Sequence, residues 1–217
     1  MLWLCLRTLH AALLQWNLPE ASTQAMLELL STYTEQDAAS ARQDANECIR
    51  TAIADPGTFI FDHLLLLSPV QQLSGELIYQ LLQIFVSGSL KNYQDFYRQN
   101  SSFVDGLPLN NDANIFKMRV LTLMSLGESR HQVPLEELAS VLEIPEGESL
   151  EEFIISALQT KMIRAKIDQI SNQLVIARVR HRTFGQPQWE LLLQRLGVWT
   201  ANLNKLKLSI DALGINA

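Results

Sequence analysis

Apolar residues recur at helical spacing through the first 127 residues, and short polar or turn-forming stretches separate the runs. A typical run carries Ile78, Leu81, Leu82 and Phe85. Apolar positions three and four residues apart are characteristic of an amphipathic helix, whereas strand-like alternation is nearly absent here. We therefore predict a stack of short helices for residues 1–127. It is repeat-like in architecture but has no strict sequence period.

The pattern changes after residue 128, where two short helices and a turn are predicted. The first helix begins near Pro134, which is suited to a first helical turn, and runs to Leu142. A turn follows through Pro145 and Gly147. The second helix is expected to open on a capping box formed by the side chains of Ser149 and Glu152.

Two segments with strand-like alternation follow, joined by a turn at Ser171 and Asn172. One face of this hairpin is expected to carry Ile163, Ala165 and Ile167 from the first strand and Val175, Ala177 and Val179 from the second. The order helix, turn, helix, hairpin is typical of a winged-helix domain. We assign it to residues 128–185.

The last segment, residues 186–217, has an uninterrupted heptad pattern. Its apolar positions are Trp189, Leu192, Leu196, Trp199, Leu203, Leu206, Ile210 and Leu213. A helix over 187–213 would be about 40 Å long at about 1.5 Å per residue. We interpret the seam as a partner-binding surface, because each of these side chains gains about 1.5 to 3 kcal/mol on burial. The alternative, an intramolecular bundle with the chain's own helices, is about equally compatible with the pattern.

Composition and charge narrow the classes of protein that the chain can represent. It has 217 residues, 47% of them hydrophobic, which suffices for a real core. The net charge of −6 argues against a protein that binds polyanions over its whole surface. Two isolated cysteines suit a reducing compartment, and no run resembles a signal peptide or a membrane span. We expect a cytoplasmic protein without membrane contact, and the chain begins as though partway through a helical array.

The predicted hairpin is locally basic. Arg164, Lys166, Arg178, Arg180 and Arg182 are expected to form one stripe that could contact RNA phosphates. The second helix begins with Glu151 and Glu152, which would repel phosphate where a DNA reader needs base contacts. The sequence therefore argues against sequence-specific DNA binding. A hairpin that faces solvent or an acidic protein neighbour is favoured over weak RNA contact by about two to one.

Residues suited to catalysis do not form a recognisable pattern in the sequence. It contains no glycine-rich phosphate loop, no paired metal ligands and no nucleophile elbow. Asp62 and His63 are adjacent on a predicted helix and lack a nucleophile at helical spacing. Tyr93, Phe96 and Tyr97 fit a core better than a platform for stacked bases. We predict no enzyme activity, no cofactor and no metal.

Several short segments carry a resemblance to a known family. They are residues 61–65, 75–78, 84–87, 160–162, 166–169, 181–185, 188–189 and 202–205. Together with the order of the elements, they make the chain similar to the PCI-domain family, named for the proteasome lid, the COP9 signalosome and initiation factor three. The segments look like those of the initiation-factor members. The likeness runs from about residue 27 to 208 and departs from the family at the N-terminus.

The resemblance implies a mainly α fold in which a helical stack ends in a winged helix and a long C-terminal helix. It also implies a non-catalytic scaffold that assembles with other PCI subunits through the winged helix and the last helix. In the initiation factor, such a scaffold supports recruitment of messenger RNA and, indirectly, the small ribosomal subunit. The alternatives are a scaffold of the signalosome or proteasome-lid type and an RNA-binding module that uses the basic hairpin.

Overall fold

The computed structural model describes residues 2–16, 19–33, 41–107 and 109–212. The chain divides into two compact units, Met1–Thr183 and Phe184–Ala217. Below, the first is called the body, and the second contains the C-terminal helix. Both are mainly helical, so the predicted fold class is confirmed.

The first part of the body is a succession of helices joined by short connections. They are α1 (Leu2–Gln15), α2 (Pro19–Ser31), α3 (Arg42–Ala54), a 3-10 helix (Asp62–Leu66), α4 (Ser68–Gln71), α5 (Leu77–Ser87), α6 (Leu90–Gln99), α7 (Ser101–Asp105) and α8 (Asn111–Ser129). The boundary between α5 and α6 has a clear local cause. Ser89 caps α6: its hydroxyl accepts from the Asn92 amide, and the Asn92 side chain accepts from the Ser89 amide.

Helix α8 lies at the centre of the core. Met118, Leu121 and Met124 are at most 1% exposed, and its polar residue Asn114 is buried as well. A helix that is buried on several faces needs neighbours on all of them. The helical stack, α9 and strand β3 of the winged helix, described next, supply these neighbours.

The rest of the body is a winged helix, as predicted. Its elements are β1 (Gln132–Pro134), α9 (Leu135–Leu142), α10 (Glu148–Gln159), β2 (Ile163–Asp168) and β3 (Gln173–Val179). The three strands form an antiparallel sheet in the order β1-β3-β2, so β2 is an edge strand. Gly127 lets α8 approach this sheet, since an added Cβ would lie 3.2 Å from Ile176 Cδ1.

The first predicted helix agrees with α9, but strand β1 was not predicted and the predicted capping box is wrong. Pro134 is the last residue of β1, a strand that three residues of sequence are too short to reveal. The capping box of Ser149 and Glu152 is absent, because α10 begins one residue before Ser149 and its N-cap is Gly147. Gly147 has φ of +100°, a conformation that side chains disfavour, so glycine rather than a capping serine sets this helix start.

The hairpin contains a β-bulge at Ala177 that changes which residues face the core. Arg164 pairs with Arg178, but the next residue, Ala165, pairs with Ile176, so Ala177 has no partner across the strand. The buried residues of β3 are therefore Leu174 and Ile176, not Val175 and Ala177 as predicted. Beyond the bulge the alternation returns to the predicted phase, with Val179 packed on the core.

The second unit contains one long helix, α11 (Gln186–Ala212), close to the predicted 187–213. Its first turn is fixed locally. The Gly185 amide donates to Gln188 Oε1 at 3.0 Å, and the rings of Phe184 and Trp189 meet edge to face with centroids 4.9 Å apart. The division of the chain into the regions 1–127, 128–185 and 186–217 stays a prediction.

Candidate interaction surfaces

The apolar seam of α11 is exposed over its described length. The side chains of Trp189, Leu192, Leu196, Trp199, Leu203, Leu206 and Ile210 are between 38% and 64% exposed. The eighth predicted position, Leu213, lies outside the described residues. Apolar side chains in one continuous row are unfavourable in water and are typical of a surface that another protein covers.

Apolar residues of α11 are not confined to the seam. Leu191, Leu193, Val198 and Leu208 lie off the heptad and are between 41% and 73% exposed. Sequence analysis missed them because it followed a single heptad stripe. A helix that is apolar on more than one face is typical of the interior of a bundle, so α11 is suited to contact more than one neighbouring helix.

The second candidate surface is the outward face of the β2–β3 hairpin. Arg164 and Arg178 lie directly opposite each other across the two strands, and Lys166 lies two residues along β2 on the same face. The Arg180 amide donates to the Met162 carbonyl at 2.9 Å, which extends the ladder by one pair. The Arg180 side chain thereby joins the same face.

Three of these cations, Arg164, Arg178 and Arg180, surround one concavity together with Lys161, and we call it the basic cleft. Its lining consists of Lys161, Met162, Arg164, Arg178 and Arg180, and its volume is about 260 Å³. Lys161 has φ of +62°, which is unusual for a residue with a side chain. In the part of the chain that is described, no ion pair involves any of the four cations. Arg164, Arg178 and Arg180 belong to the predicted stripe and Lys161 does not, and contact of the stripe with RNA stays a prediction.

Arg182 corrects that prediction, because it is buried and does not belong to the stripe. Only 6% of the residue is exposed. One terminal nitrogen donates to the Gly88 carbonyl and to Ser125 Oγ at 2.9 Å, and the other donates to the Phe85 carbonyl at 2.9 Å. Burial lowers the pKa of Arg182 to about 10, opposed by the charge of Glu128.

Arg182 has a structural role that follows from these contacts. The carbonyls at the end of a helix lack partners within the helix and carry a partial negative charge. The guanidinium supplies donors to the end of α5 and thereby ties the winged helix to the helical stack. The alternating pattern of the strand could not reveal this, because β3 ends at Val179 and the chain turns inward afterwards.

Lys117 of α8 caps another helix in the same way, and sequence analysis missed it. Its ammonium group donates to the carbonyls of Ile53 at 2.7 Å and Asp55 at 2.6 Å, at the end of α3. It also lies 5.5 Å from the centre of the Phe61 ring. Burial lowers the pKa of Lys117 from 10.5 to about 8, although the charge of Asp55 raises it.

The residues considered for catalysis do not assemble into a site. Asp62 and His63 lie in the 3-10 helix with 3.9 Å between Oδ1 and Nδ1, and burial lowers the pKa of His63. Tyr93 and Phe96 are buried, as expected of core residues. Within the described ranges, no group of three or more His, Cys, Asp or Glu side chains is arranged to hold a metal. None of the described helices combines the length and the apolar run that a bilayer crossing requires.

Two family models match the chain, and both fall on the surfaces described above. The model for the PCI domain matches residues 97–178, from the end of α6 to β3. The model described as eIF3 subunit M, C-terminal helix, matches residues 182–210, which include seven of the eight seam positions. The second match shows that α11 corresponds to the C-terminal helix that this family model describes.

Comparison with curated proteins gives concordant results. The chain is 43% identical over 208 residues to eukaryotic translation initiation factor 3 subunit M of Homo sapiens, covering 96% of this chain and 55% of the relative. The protein of the same name from Drosophila willistoni is 46% identical over 201 residues, covering 93% and 51%. That from Nematostella vectensis is 44% identical over 197 residues, covering 91% and 52%. The chain spans about half the length of the curated relatives it matches.

Proposed function

The chain belongs to the PCI-domain family, and from this premise we propose that it is a non-catalytic scaffold subunit of eukaryotic translation initiation factor 3. In this role it assembles with other PCI subunits in the cytoplasm. It supports recruitment of messenger RNA and, through the assembled factor, of the small ribosomal subunit. The observation that carries the proposal is the exposed apolar seam of α11, which coincides with the matched C-terminal helix model.

The proposed assembly contact is burial of the seam against helices of neighbouring subunits. Leu203 and Trp199 are each 64% exposed, so most of their apolar surface is available to a partner. Each fully buried side chain of this kind contributes about 1.5 to 3 kcal/mol. The apolar residues off the seam fit a bundle with at least two neighbouring helices.

The winged helix offers a second contact. Strand β2 is at the edge of the sheet, so one side of its backbone is available for pairing with a strand of another subunit. Such an edge contact and the seam would act together, since two linked contacts give much tighter association than either one alone.

A single substitution on the seam tests the proposal. Trp199→Glu places a charge in the middle of the seam, and we expect helix content near that of the wild type but loss of the chain from its complex. The measurement is affinity purification of the tagged full chain from cell lysate, with subunits identified by mass spectrometry and complex size by sedimentation. Gln194→Glu is the matched control, because this exposed position is already polar, gains the same charge and lies about 140° around the helix from Trp199.

The outcomes distinguish the proposal from its alternatives. Release by Trp199→Glu together with retention by Gln194→Glu supports assembly through the seam. Normal sedimentation of Trp199→Glu would contradict it. Co-purification of signalosome or proteasome-lid subunits with the wild type would replace the initiation factor by another PCI complex, an alternative that the relatives reported above do not favour.

A further inference from the structure

The four cations of the basic cleft on the hairpin form no ion pair with the described residues of this chain. Arg164 and Arg178 face each other across the strands, and like charges in directly opposed positions destabilise a sheet. Lys161 and Arg180 complete the lining, and all four residues are exposed. A repulsive cluster of this kind is stabilised when an anion occupies it.

The composition of the face indicates which kind of anion fits. Of the described residues that line the cleft, only Met162 is apolar. Protein–protein interfaces usually have an apolar core, whereas interfaces with nucleic acids are more polar and strongly positive. The absence of aromatic side chains among these same residues leaves nothing on which a base could stack.

The spacing of the cations fits a chain of phosphates. Arg178 and Arg180 are two residues apart on an extended strand, which separates them by about 6.6 Å along its axis. Guanidinium groups bind phosphate oxygens through two parallel hydrogen bonds, and three of the four cations are arginines. A continuous row of charged groups can contact several of these side chains at once.

We propose that the basic cleft binds the phosphate backbone of RNA, without preference for base sequence. The proposal is independent of the seam, because the cleft uses residues 161–180 and the seam uses residues 189–210. The cleft differs from the predicted stripe, because it includes Lys161 and contains neither Lys166 nor the buried Arg182. Because the chain as a whole carries a net charge of −6, the contact is local and salt-sensitive.

The test measures binding of the full 217-residue chain to a labelled oligouridylate of about 20 nucleotides by fluorescence anisotropy. Contact with four phosphates predicts a slope of about −3 in a plot of log affinity against log salt concentration. Arg178→Glu with Arg180→Glu is expected to weaken binding more than about tenfold and to reduce the slope to about −1.4. This variant should fold, because the new Glu at 178 lies opposite Arg164.

The matched control is Lys91→Glu with Arg98→Glu on α6. Both residues are exposed, and the change in net charge is identical. Retention of wild-type affinity by the control, together with loss in the cleft variant, supports the proposal. Equal loss in both, or no loss in the cleft variant, overturns it. A polyglutamate of similar length is the second probe, and binding as tight as that of the RNA would assign the cleft to an acidic protein instead.

Discussion

Helices α8 and α11 are both rich in large apolar residues, yet they differ completely in how much of that surface is covered. In α8, nine residues are buried, among them Leu121 and Met124. In α11, every residue from 189 to 210 is exposed. The comparison teaches that apolar content identifies a surface to be covered but does not identify what covers it. For α8 the cover is the body itself, and for α11 we propose other subunits.

The largest difference between the two helices is expected when a leucine is replaced by alanine in each of them. Leu121→Ala in α8 should lower the free energy of unfolding by about 3 kcal/mol, because it leaves a cavity in a closely packed core. Leu203→Ala in α11 should change it by less than about 0.5 kcal/mol in the isolated chain. Urea denaturation followed by circular dichroism measures both values. Equal losses would mean that α11 is as much part of the core as α8.

A smaller loss of stability is expected when an arginine is replaced by methionine in the body and in α11. Arg182→Met leaves the carbonyls of Phe85 and Gly88 without their donor, and unpaired buried groups of this kind should cost about 2 kcal/mol in total. Arg195→Met, at an exposed position of α11, should cost less than about 0.5 kcal/mol. The midpoint of urea denaturation gives the difference. A negligible effect at Arg182 would show that its hydrogen bonds do not hold the body together.

The third prediction concerns Lys117, whose effect is the smallest and is visible as a pH dependence of the free energy of unfolding. The folded-state pKa of Lys117, about 8, lies below its ordinary value of 10.5, so between these values the unfolded chain binds more protons. Raising the pH from 8 to 10 should therefore stabilise the folded state through this group, by at most about 2 kcal/mol. The cost of burying the charge is fully present below pH 8 and disappears as the pH rises.

Comparing variants isolates this contribution from other titrating groups. Cys48, for example, acts in the opposite direction, since burial raises its thiol pKa to about 12. Between pH 8 and 10, the free energy of unfolding of the wild type should rise relative to that of Lys117→Met. Lys205→Met in α11 is the control for loss of a lysine at an exposed position. A wild-type and Lys117→Met difference that stays constant over this range would contradict the proposed burial of charge.

Much of the fold could be predicted from the sequence because its signals are local and periodic. The longer helices of the body, the two helices of the winged helix and the length of α11 follow from apolar spacing over eight or more residues, whereas α4 and α7 are too short to show a period. Strand β1 could not be predicted, since three residues carry no period and its pairing partner, β3, lies about 40 residues further along. The bulge at Ala177 was missed because it arises from pairing with β2.

The candidate surfaces show the same division between local and distant causes. The seam and the cleft residues Arg164, Arg178 and Arg180 follow from helical and strand periodicity. The roles of Arg182 and Lys117 do not, because their partners are backbone carbonyls between 61 and 98 residues away in sequence. Any basic residue beyond the end of a strand looks like a surface charge until its surroundings are known.

The placement of Arg182 also has a consequence for folding during synthesis. Domains assemble while the polypeptide emerges from its N-terminal side. The end of α5 is complete almost 100 residues before Arg182 is added to the nascent chain. Until then the Phe85 carbonyl lacks this donor, so the stack reaches its final form only after the hairpin has emerged. A truncated product that stops short of this residue would leave that helix end open to chaperones and proteases.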